Sequence, residues 1–347
     1  MDNGNLFEGL PEARITYVEC LGNLRQTGEQ YGEAAREEIA TEIASVVTVS
    51  NDELQRFAVR AEAALCRFAP EILEELAGVA AGANVGVAQL LYLNCVNTFD
   101  AVDRCTPVIV RNSDRGQLIS KNNDGFPPEL TACPFVVRKV LPDKGMPFIQ
   151  VTYAGWLSGL DMMNAAGLSN THGSVGSVFE RSGERLDIRL RVYQLMRECT
   201  TVEEILKKLP DIPLTGKGFA IAFGDAAGEN AMVDAAVPYT PVRSRNKDFE
   251  FATNLYMAPG YENADTRTPE GKIINRKRYE YLLNTTPPQT LAELQSLLAA
   301  HGDGAPCRHG VGKLSRTMWS MISIVQERKM LFCDRHPCRG IWQEFSL

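Results

Sequence analysis

The chain has 347 residues, of which 44% are hydrophobic and 23% are charged, so it can bury a sizeable core without disulfide staples. Its 43 acidic residues exceed its 36 basic residues, and the resulting net charge of −7 argues against nonspecific binding to nucleic acid or to anionic membranes. We therefore expect a small-molecule substrate, no nucleic-acid partner and no membrane partner.

The first hundred residues are predicted to be mainly helical. Apolar residues at three- and four-residue spacings predict a helix over 27–47 and a second helix, capped by Asn51 or Asp52, that ends near Phe68. Pro70 suits the first turn of a third helix. The segment VAQLLYLNC then predicts a short apolar helix.

One apolar stretch has the length of a membrane span. Residues 76–99 carry no charge, but they contain four Asn or Gln side chains that would each need a partner in lipid. Gly78, Gly82 and Gly86 lower the hydrophobicity further. We therefore predict close helix packing in a protein core rather than a transmembrane helix.

The pattern changes to strands near Cys105. The runs TPVIVRN, QLISKN, PFVVRKV and MPFIQVTYAG are separated by turn sequences and predict a β-meander. A helix over 186–197 follows, then a helix capped by Thr201 through Leu209, with Glu204 completing a capping box. GFAIAFGDAAGENAMVDAA predicts a hairpin.

The C-terminal third continues the mixture of elements. FATN predicts a short strand, IINRKRYEYLL and TLAELQSLLAAH predict helices, and two late strands are predicted around QERK. Helices and strands do not alternate as in βαβ units, so we expect an α+β layered fold. Neither a Walker loop nor a GxGxxG motif is present, which disfavours phosphate or dinucleotide chemistry.

Nine cysteines and only four histidines limit the possible nucleophilic chemistry. The N-terminal residues do not have the pattern of a secretory leader, so we expect reduced thiols in a cytoplasmic protein. Cys105 lies where the helical region ends and a strand begins. If the Arg104–Cys105 bond were cut, the new α-amino group, with an ordinary pKa of about 7.7–8.0, could serve as the general base for the thiol. A structural thiol is the alternative.

The C-terminal Cys and His residues allow a metal site as an alternative. Cys307 and His309 are followed by Cys333, His336 and Cys338, and such thiols and imidazoles could complete a tetrahedral zinc site. The spacing fits none of the paired CxxC patterns well. We therefore assign no metal ligand and keep a zinc-site protein as an alternative.

Several segments in this order resemble one enzyme family. GNLRQTGEQYGEA, APEILEELAGVAAGANVGVAQLLYLN, NAAGLSN, ATN at 252–254 and CRH at 307–309 resemble landmarks of the isopenicillin N acyltransferase-like N-terminal-nucleophile cysteine hydrolases, also described as acyl-coenzyme A:6-aminopenicillanic acid acyltransferase-like. The resemblance implies a four-layer αββα fold with a helical N-terminal prelude. It also implies a self-processing amidohydrolase or acyltransferase.

Carried over to this chain, the resemblance assigns Cys105 as nucleophile and the Arg104–Cys105 bond as the cleavage site. Asp124 would orient the α-ammonium group, and Asn254 would donate a hydrogen bond to the oxyanion. Lys121, where related enzymes have an arginine, would bind substrate.

Two further residues are assigned to substrate binding. His172 could line the pocket. Arg276 or Arg278 could match the family's later functional arginine, and we choose Arg276. Self-cleavage would give a prelude of residues 1–104 and a catalytic core of residues 105–347 that together form one structural domain.

The expected partners are a small-molecule amide, the chain's own second fragment in a heterodimer, and a further copy in a homo-oligomer. No cofactor is expected other than a coenzyme A thioester as acyl donor. Arg104 replaces the glycine that many members carry before the nucleophile, and Pro107 replaces a small or polar residue. A non-catalytic amide-binding member of the same fold is therefore kept as an alternative.

Overall fold

The N-terminal region consists of one strand followed by five helices. The structure, a computed structural model, describes residues 15–95, 105–125, 135–179, 183–310 and 315–347. The strand and helices are β1 (Thr16–Gly22), α1 (Leu24–Ala34), α2 (Arg36–Val46), α3 (Asn51–Phe68), α4 (Pro70–Ala83) and α5 (Val87–Cys95). The prelude is therefore helical as predicted, with a strand before its first helix.

The predicted helices are confirmed with two corrections. The helix predicted over 27–47 is divided into α1 and α2 at Ala35, whose φ of −114° and ψ of 27° are not helical. The cap of α3 is Ser50 rather than Asn51 or Asp52, because the Ser50 side chain accepts a hydrogen bond from the backbone N–H of Glu53. Pro70 occupies the first turn of α4, as predicted.

The glycines of α4 pack directly against α1. A Cβ atom added at Gly82 would lie 2.0 Å from the carbonyl oxygen of Glu29, and one at Gly78 would lie 2.2 Å from that of Arg25. The prediction of close packing is therefore confirmed at these two positions. In the part of the chain that the structure describes, no helix is both long and apolar enough to cross a membrane.

We expect Gly82→Ala to lower the free energy of unfolding by about 1–3 kcal/mol, because the added methyl group would force the two helix backbones apart. Gly86→Ala is the matched control, since a Cβ there meets only the flexible Gln89 side chain, at 3.3 Å. Denaturant unfolding of both variants measures the difference. Equal stability of the two variants would contradict the packing described for α1 and α4.

Two β-sheets form the centre of the molecule. The first has eight strands in the order β1, β4 (Phe135–Pro142), β5 (Phe148–Tyr153), β6 (Met162–Asn164), β7 (Ser169–Ser174), β10 (Phe219–Gly224), β11 (Asn230–Ala235) and β12 (Val242–Arg245). The second has six, in the order β13 (Phe249–Phe251), β2 (Thr106–Ser113), β3 (Gly116–Gly125), β14 (Arg316–Ile324), β15 (Lys329–Asp334) and β16 (Gln343–Ser346). The short strands β8 (Leu186–Asp187) and β9 (Leu214–Thr215) form a separate pair.

The predicted strands are present, but they do not form one meander. The hairpin of β2 and β3 lies in the second sheet, whereas the hairpin of β4 and β5 lies in the first. The turn sequences specify each hairpin locally, but the assignment of a hairpin to a sheet depends on tertiary packing.

In the described residues that follow the prelude there are four helices, and all were predicted from the sequence. They are α6 (Ile188–Glu198), α7 (Val202–Lys208), α8 (Pro269–Leu283) and α9 (Leu291–Leu298). The capping box of Thr201 and Glu204 is formed at the start of α7. Each of these helices packs against a sheet.

The hydrophobic clusters show four layers. One cluster joins the first sheet to helices of the prelude and to α6 and α7. Two clusters lie between the sheets; Ile119 and Met232 meet in one, and Ile149 and Trp319 in the other. A fourth joins the outer face of the second sheet to α8 and α9. The expected α+β fold with αββα layering is therefore confirmed.

The prelude is built into the first sheet. β1 pairs in parallel with β4 over seven residues, from Thr16 opposite Val136 to Gly22 opposite Pro142. Beneath this pair, Arg138 Nη2 of β4 donates to Glu75 Oε1 of α4 at 2.8 Å, in the fully buried interior. The N-terminal region thus shares a sheet and a core with the rest of the chain.

Candidate functional site

Cys105 directly precedes β2 and is 1% exposed. Its Sγ lies 3.5 Å from Oδ1 of Asn123, which projects from the neighbouring strand β3. Ile109, on the same side of β2, packs in a cluster between the two sheets. The thiol therefore lies on the inner side of the second sheet. Arg104 lies outside the described residues.

Arg278 of α8 connects Cys105 to Asn254. Its Nη2 donates to the carbonyl oxygen of Cys105 at 2.7 Å, and its Nη1 donates to Asn254 Oδ1 at 2.9 Å. Nη1 also donates to Asn275 Oδ1 at 2.9 Å, and Nη2 contacts the hydroxyl of Thr106. The planar guanidinium can hold these groups at the same time because its donors point in fixed directions.

The charge environment of Arg278 is unusual. Burial, followed by the positive charge of Arg308, lowers the pKa of the Arg278 guanidinium to about 9, and Asp124 opposes this shift. Arg278 is still protonated at neutral pH. It therefore supplies a buried positive charge beside the backbone of Cys105.

Asn254 lies three residues after β13 and is fully buried. Its Nδ2 donates to the carbonyl oxygen of Ser174 at 2.6 Å, while its Oδ1 accepts from Arg278. An amide nitrogen carries two hydrogens, and Ser174 accepts one of them. A carboxamide fixed in this way is the kind of donor that stabilises an oxyanion.

Asp124 lies on the opposite side of β3 from Asn123, because successive strand residues point to opposite faces. Its Oδ1 accepts a hydrogen bond from Thr317 Oγ1 at 2.8 Å. Its Oδ2 lies 3.7 Å from Arg278 Nη2 and 3.6 Å from Arg308 Nε. One carboxylate thus faces two guanidinium groups, and Arg278 connects it to the carbonyl of Cys105.

Lys121 and His172 converge on a second acidic group, Asp161. Lys121 Nζ donates to Asp161 Oδ2 at 2.8 Å, and His172 Nδ1 lies 3.2 Å from the same oxygen. Thr171 Oγ1 donates to the other oxygen at 2.6 Å. The lysine ammonium also lies 4.8 Å from the ring centre of Trp319. Lys121 is therefore held by Asp161 rather than by Asp124.

Burial and charge shift two pKa values in this group. Burial alone would raise the pKa of Asp161, but the positive charge of Lys121, the interaction with His172 and the hydrogen bonds from both residues outweigh it, and the pKa is lowered. Burial, followed by the charge of Lys121, lowers the pKa of His172 despite the opposing effect of Asp161. At neutral pH, Asp161 is thus ionised and His172 is neutral.

The structure brings most of the predicted residues into two neighbouring groups. Cys105, Asp124 and Asn254 are connected through Arg278, and Lys121 and His172 are connected through Asp161. Arg276, the arginine chosen from the sequence, lies exposed on α8, whereas Arg278 is buried at the site. The choice is therefore corrected to Arg278.

Several residues of these groups were not predicted from the sequence, among them Asn123, Asp161, Arg308 and Thr317. Asn123 lies inside the sequence KNND, whose lysine and aspartate were predicted as site residues, and Arg308 lies inside the CRH landmark. Asp161 and Thr317 carry no local signal, because their partners are distant in sequence.

Comparison with protein families gives a match over most of the chain. Residues 110–337 match the family model described as acyl-coenzyme A:6-aminopenicillanic acid acyl-transferase. The match covers more than half of the chain and begins after Cys105, so it does not include the candidate nucleophile. No curated protein matches the chain significantly.

Solved structures give weaker similarities. A mutant of conjugated bile acid hydrolase from Clostridium perfringens is 12% identical with a TM-score of 0.47, over 70% of this chain and 92% of that chain. Penicillin V acylase from Agrobacterium tumefaciens is 13% identical with a TM-score of 0.40, over 66% and 83%. The Caenorhabditis elegans ortholog of N-acylethanolamine-hydrolyzing acid amidase is 10% identical with a TM-score of 0.44, over 64% and 93%.

Proposed function

Because the chain belongs to the acyl-coenzyme A:6-aminopenicillanic acid acyl-transferase family, an N-terminal-nucleophile type of amidohydrolase and acyltransferase, we propose that Cys105 is its nucleophile. The observation that carries this proposal is the fork of Arg278, which binds both the carbonyl of Cys105 and the carboxamide of Asn254. One rigid group thus holds the backbone of the thiol-bearing residue and an amide donor, an arrangement suited to attack on a carbonyl and to stabilisation of the oxyanion.

The first reaction would be self-cleavage. The Cys105 thiol attacks the carbonyl carbon of Arg104, and the acyl group moves from nitrogen to sulfur, which frees the α-amino group of Cys105. Water then hydrolyses the thioester, leaving a carboxylate on Arg104 and a thiol on Cys105. The products are fragments 1–104 and 105–347, held together as a heterodimer by the sheet and core that they share.

In the catalytic cycle the α-amino group of Cys105 takes the thiol proton, and the thiolate attacks the substrate carbonyl. Asn254 holds the oxyanion through the second hydrogen of Nδ2. The carbon–nitrogen bond then breaks, and the amine leaves with the proton from the α-ammonium. Water or an acceptor amine releases the acyl group from sulfur. Asp124 stabilises the ammonium form and sets its orientation.

The substrate would be a small non-peptide amide, and an acyl thioester such as that of coenzyme A could serve as donor. Lys121 and His172 belong to the substrate-binding part of this proposal because they lie on strands adjoining the thiol. Lys121 is two residues from Asn123, on the same side of β3. With its ammonium bound to Asp161, Lys121 would contribute positive potential rather than a two-point contact.

The proposal is tested by trapping the acyl-enzyme. Reduced protein is mixed with a β-lactam amide, an N-acyl amino acid or an acyl-coenzyme A, quenched in acid and analysed by intact mass and peptide mapping. We expect one acyl group, on Cys105, and its release by hydroxylamine. Cys66→Ser, which removes an exposed thiol of α3, should form the same adduct. Binding of an amide with no adduct and no turnover would favour the non-catalytic alternative.

A further inference from the structure

Four metal-ligating side chains converge at one point outside the site described above. They are His301, Cys307, His309 and Cys338, and their ligand atoms all lie within 4.8 Å of one another. His309 Nε2 lies 3.2 Å from His301 Nε2, 3.5 Å from Cys307 Sγ and 3.3 Å from Cys338 Sγ. The four residues come from three separate segments of the chain.

A single hydrogen bond of His309 Nε2 cannot account for all three of its close contacts. An imidazole nitrogen carries either one proton or one lone pair, so it makes one good hydrogen bond in the ring plane. His309 Nε2 has three close neighbours, of which two are thiol sulfurs and one is another imidazole nitrogen. A single cation at the centre would satisfy all four atoms together.

Three of the ligand separations, those from His309 Nε2, agree with the edges of a zinc tetrahedron. Zinc–nitrogen bonds of about 2.0–2.1 Å and zinc–sulfur bonds of about 2.3 Å give ligand separations of about 3.3 Å between two nitrogens and about 3.6 Å between nitrogen and sulfur. The observed separations from His309 Nε2 are 3.2, 3.5 and 3.3 Å. These three distances, and the spread of 4.8 Å among all four ligand atoms, are therefore compatible with one shared ion.

The four residues lie in segments next to the ends of α9, β14 and β15. His301 follows α9, and Cys338 lies in a short 3-10 helix after β15, Pro337–Arg339. The segment of Cys307 and His309 lies beside the start of β14: Arg308 N donates to Thr317 Oγ1, and Thr317 N donates to the Arg308 carbonyl oxygen. A metal ion bound to all four residues would link these segments and fix the loop that follows α9.

We propose that His301, Cys307, His309 and Cys338 bind a structural Zn²⁺ ion. Two thiols lose their protons on binding, so two thiolates, two neutral imidazoles and Zn²⁺ give a site of zero net charge. Two sulfur and two nitrogen ligands in a tetrahedron are typical of closed structural zinc sites, and they leave no position for substrate. His301 and Cys338 are exposed, which gives the ion a path of entry.

The site would position a residue of the candidate active site. Arg308 lies between two of the ligands, Cys307 and His309, and its Nε is 3.6 Å from Asp124 Oδ2. With both neighbours fixed to the metal, the backbone of Arg308 would be held against β14. Arg308 is thus a positioning residue that acts through Asp124, and the zinc proposal itself does not depend on the proposed reaction.

The four proposed ligands differ from the zinc-site residues that the sequence suggested. Cys333 is buried in β15, and its Sγ lies 3.8 Å from the carbonyl oxygen of His336 rather than in the cluster. His336 stacks on the ring of His309, with ring centres 4.1 Å apart. His301, which the spacing of the cysteines did not suggest, is the fourth proposed ligand.

The test is the metal content of untagged full-length protein purified under reducing conditions without chelator. We expect about one zinc per chain in the wild type, and less than about one tenth of that in Cys338→Ser and His301→Ala, which alter exposed ligands. Cys66→Ser and Cys333→Ser should keep the zinc. Loss in Cys333→Ser together with retention in Cys338→Ser would overturn the proposed ligand set.

Cobalt and chelation supply independent readouts. Co²⁺ added to the chelator-stripped wild type should give thiolate-to-cobalt charge-transfer absorption and the visible bands of a tetrahedral ion, and Cys338→Ser should not. A zinc chelator should lower the Tm of the wild type to that of Cys338→Ser and leave the variant unchanged. Absence of saturable binding of Zn²⁺ or Co²⁺ to the reduced protein would overturn the proposal.

Discussion

Cys105→Ala is expected to remain a single chain of 347 residues on a denaturing gel, whereas the wild type separates into fragments of 104 and 243 residues. Without the thiol, no group is left to accept the acyl group of Arg104, and no α-amino group is released. Activity on any amide should fall by about 10⁴-fold or more, because nucleophile and general base are lost together.

Sequencing of the larger fragment from its N-terminus should begin with Cys105. Cys66→Ser serves as the matched control, since it removes a thiol from an exposed face of α3 and should be cleaved as fast as the wild type. An active wild type that runs as one intact band would contradict the self-cleavage proposal. An intact and inactive wild type would indicate that the Arg104–Cys105 bond is not processed in this protein.

Asn254→Ala should lower kcat by about 10²–10³-fold, which corresponds to about 3–4 kcal/mol of transition-state stabilisation, with little change in KM. The reason is that the oxyanion forms only after the thiolate has attacked. Steady-state kinetics on the substrate that acylates Cys105 fastest supplies both constants. A loss expressed mainly in KM would contradict the assignment of Asn254 to the oxyanion.

Two further variants separate this role from that of holding Arg278. Asn254→Asp keeps an oxygen that can accept from Arg278, but it replaces the amide donor with an anionic oxygen, so kcat should fall at least as far as in Asn254→Ala. Asn275→Ala removes the other carboxamide that accepts from Arg278 Nη1 and leaves Asn254 in place. We expect a loss of no more than about tenfold there. Equal losses in Asn275→Ala and Asn254→Ala would indicate that both act only by holding Arg278.

Local patterns predicted the elements well because the relevant signals lie within a few residues. The capping box of Thr201 and Glu204, Pro70 at the start of α4 and the turn between β10 and β11 each depend on adjacent residues. The division of two hairpins between two sheets could not be predicted in this way. It follows from which faces pack together after the chain has folded.

Prediction of the candidate site from local sequence has the same limit. Helix periodicity distinguishes the two arginines of α8, because Asn275, Arg278 and Leu282 share the buried side at three- and four-residue spacings, and Arg276 does not. The buried side of α8 was not recognised from the sequence because its inward-facing residues include an arginine and an asparagine as well as a leucine. The partner of Lys121 is forty residues away along the chain, and Asp161 reaches it only because the two sheets pack face to face.

The pairing of β1 with β4 has a consequence for assembly. As one chain, the precursor brings these strands together in a unimolecular step, at an effective concentration that two separate polypeptides would not reach in solution. If the chain is then cut before Cys105, the seven-residue ladder and the common core remain to hold the fragments. The Arg104–Cys105 peptide bond would therefore help β1 to pair with β4 during folding, but it would not be needed to hold the two strands together afterwards. Fragments synthesised separately would have to meet by diffusion, with the edge of β4 exposed until they did.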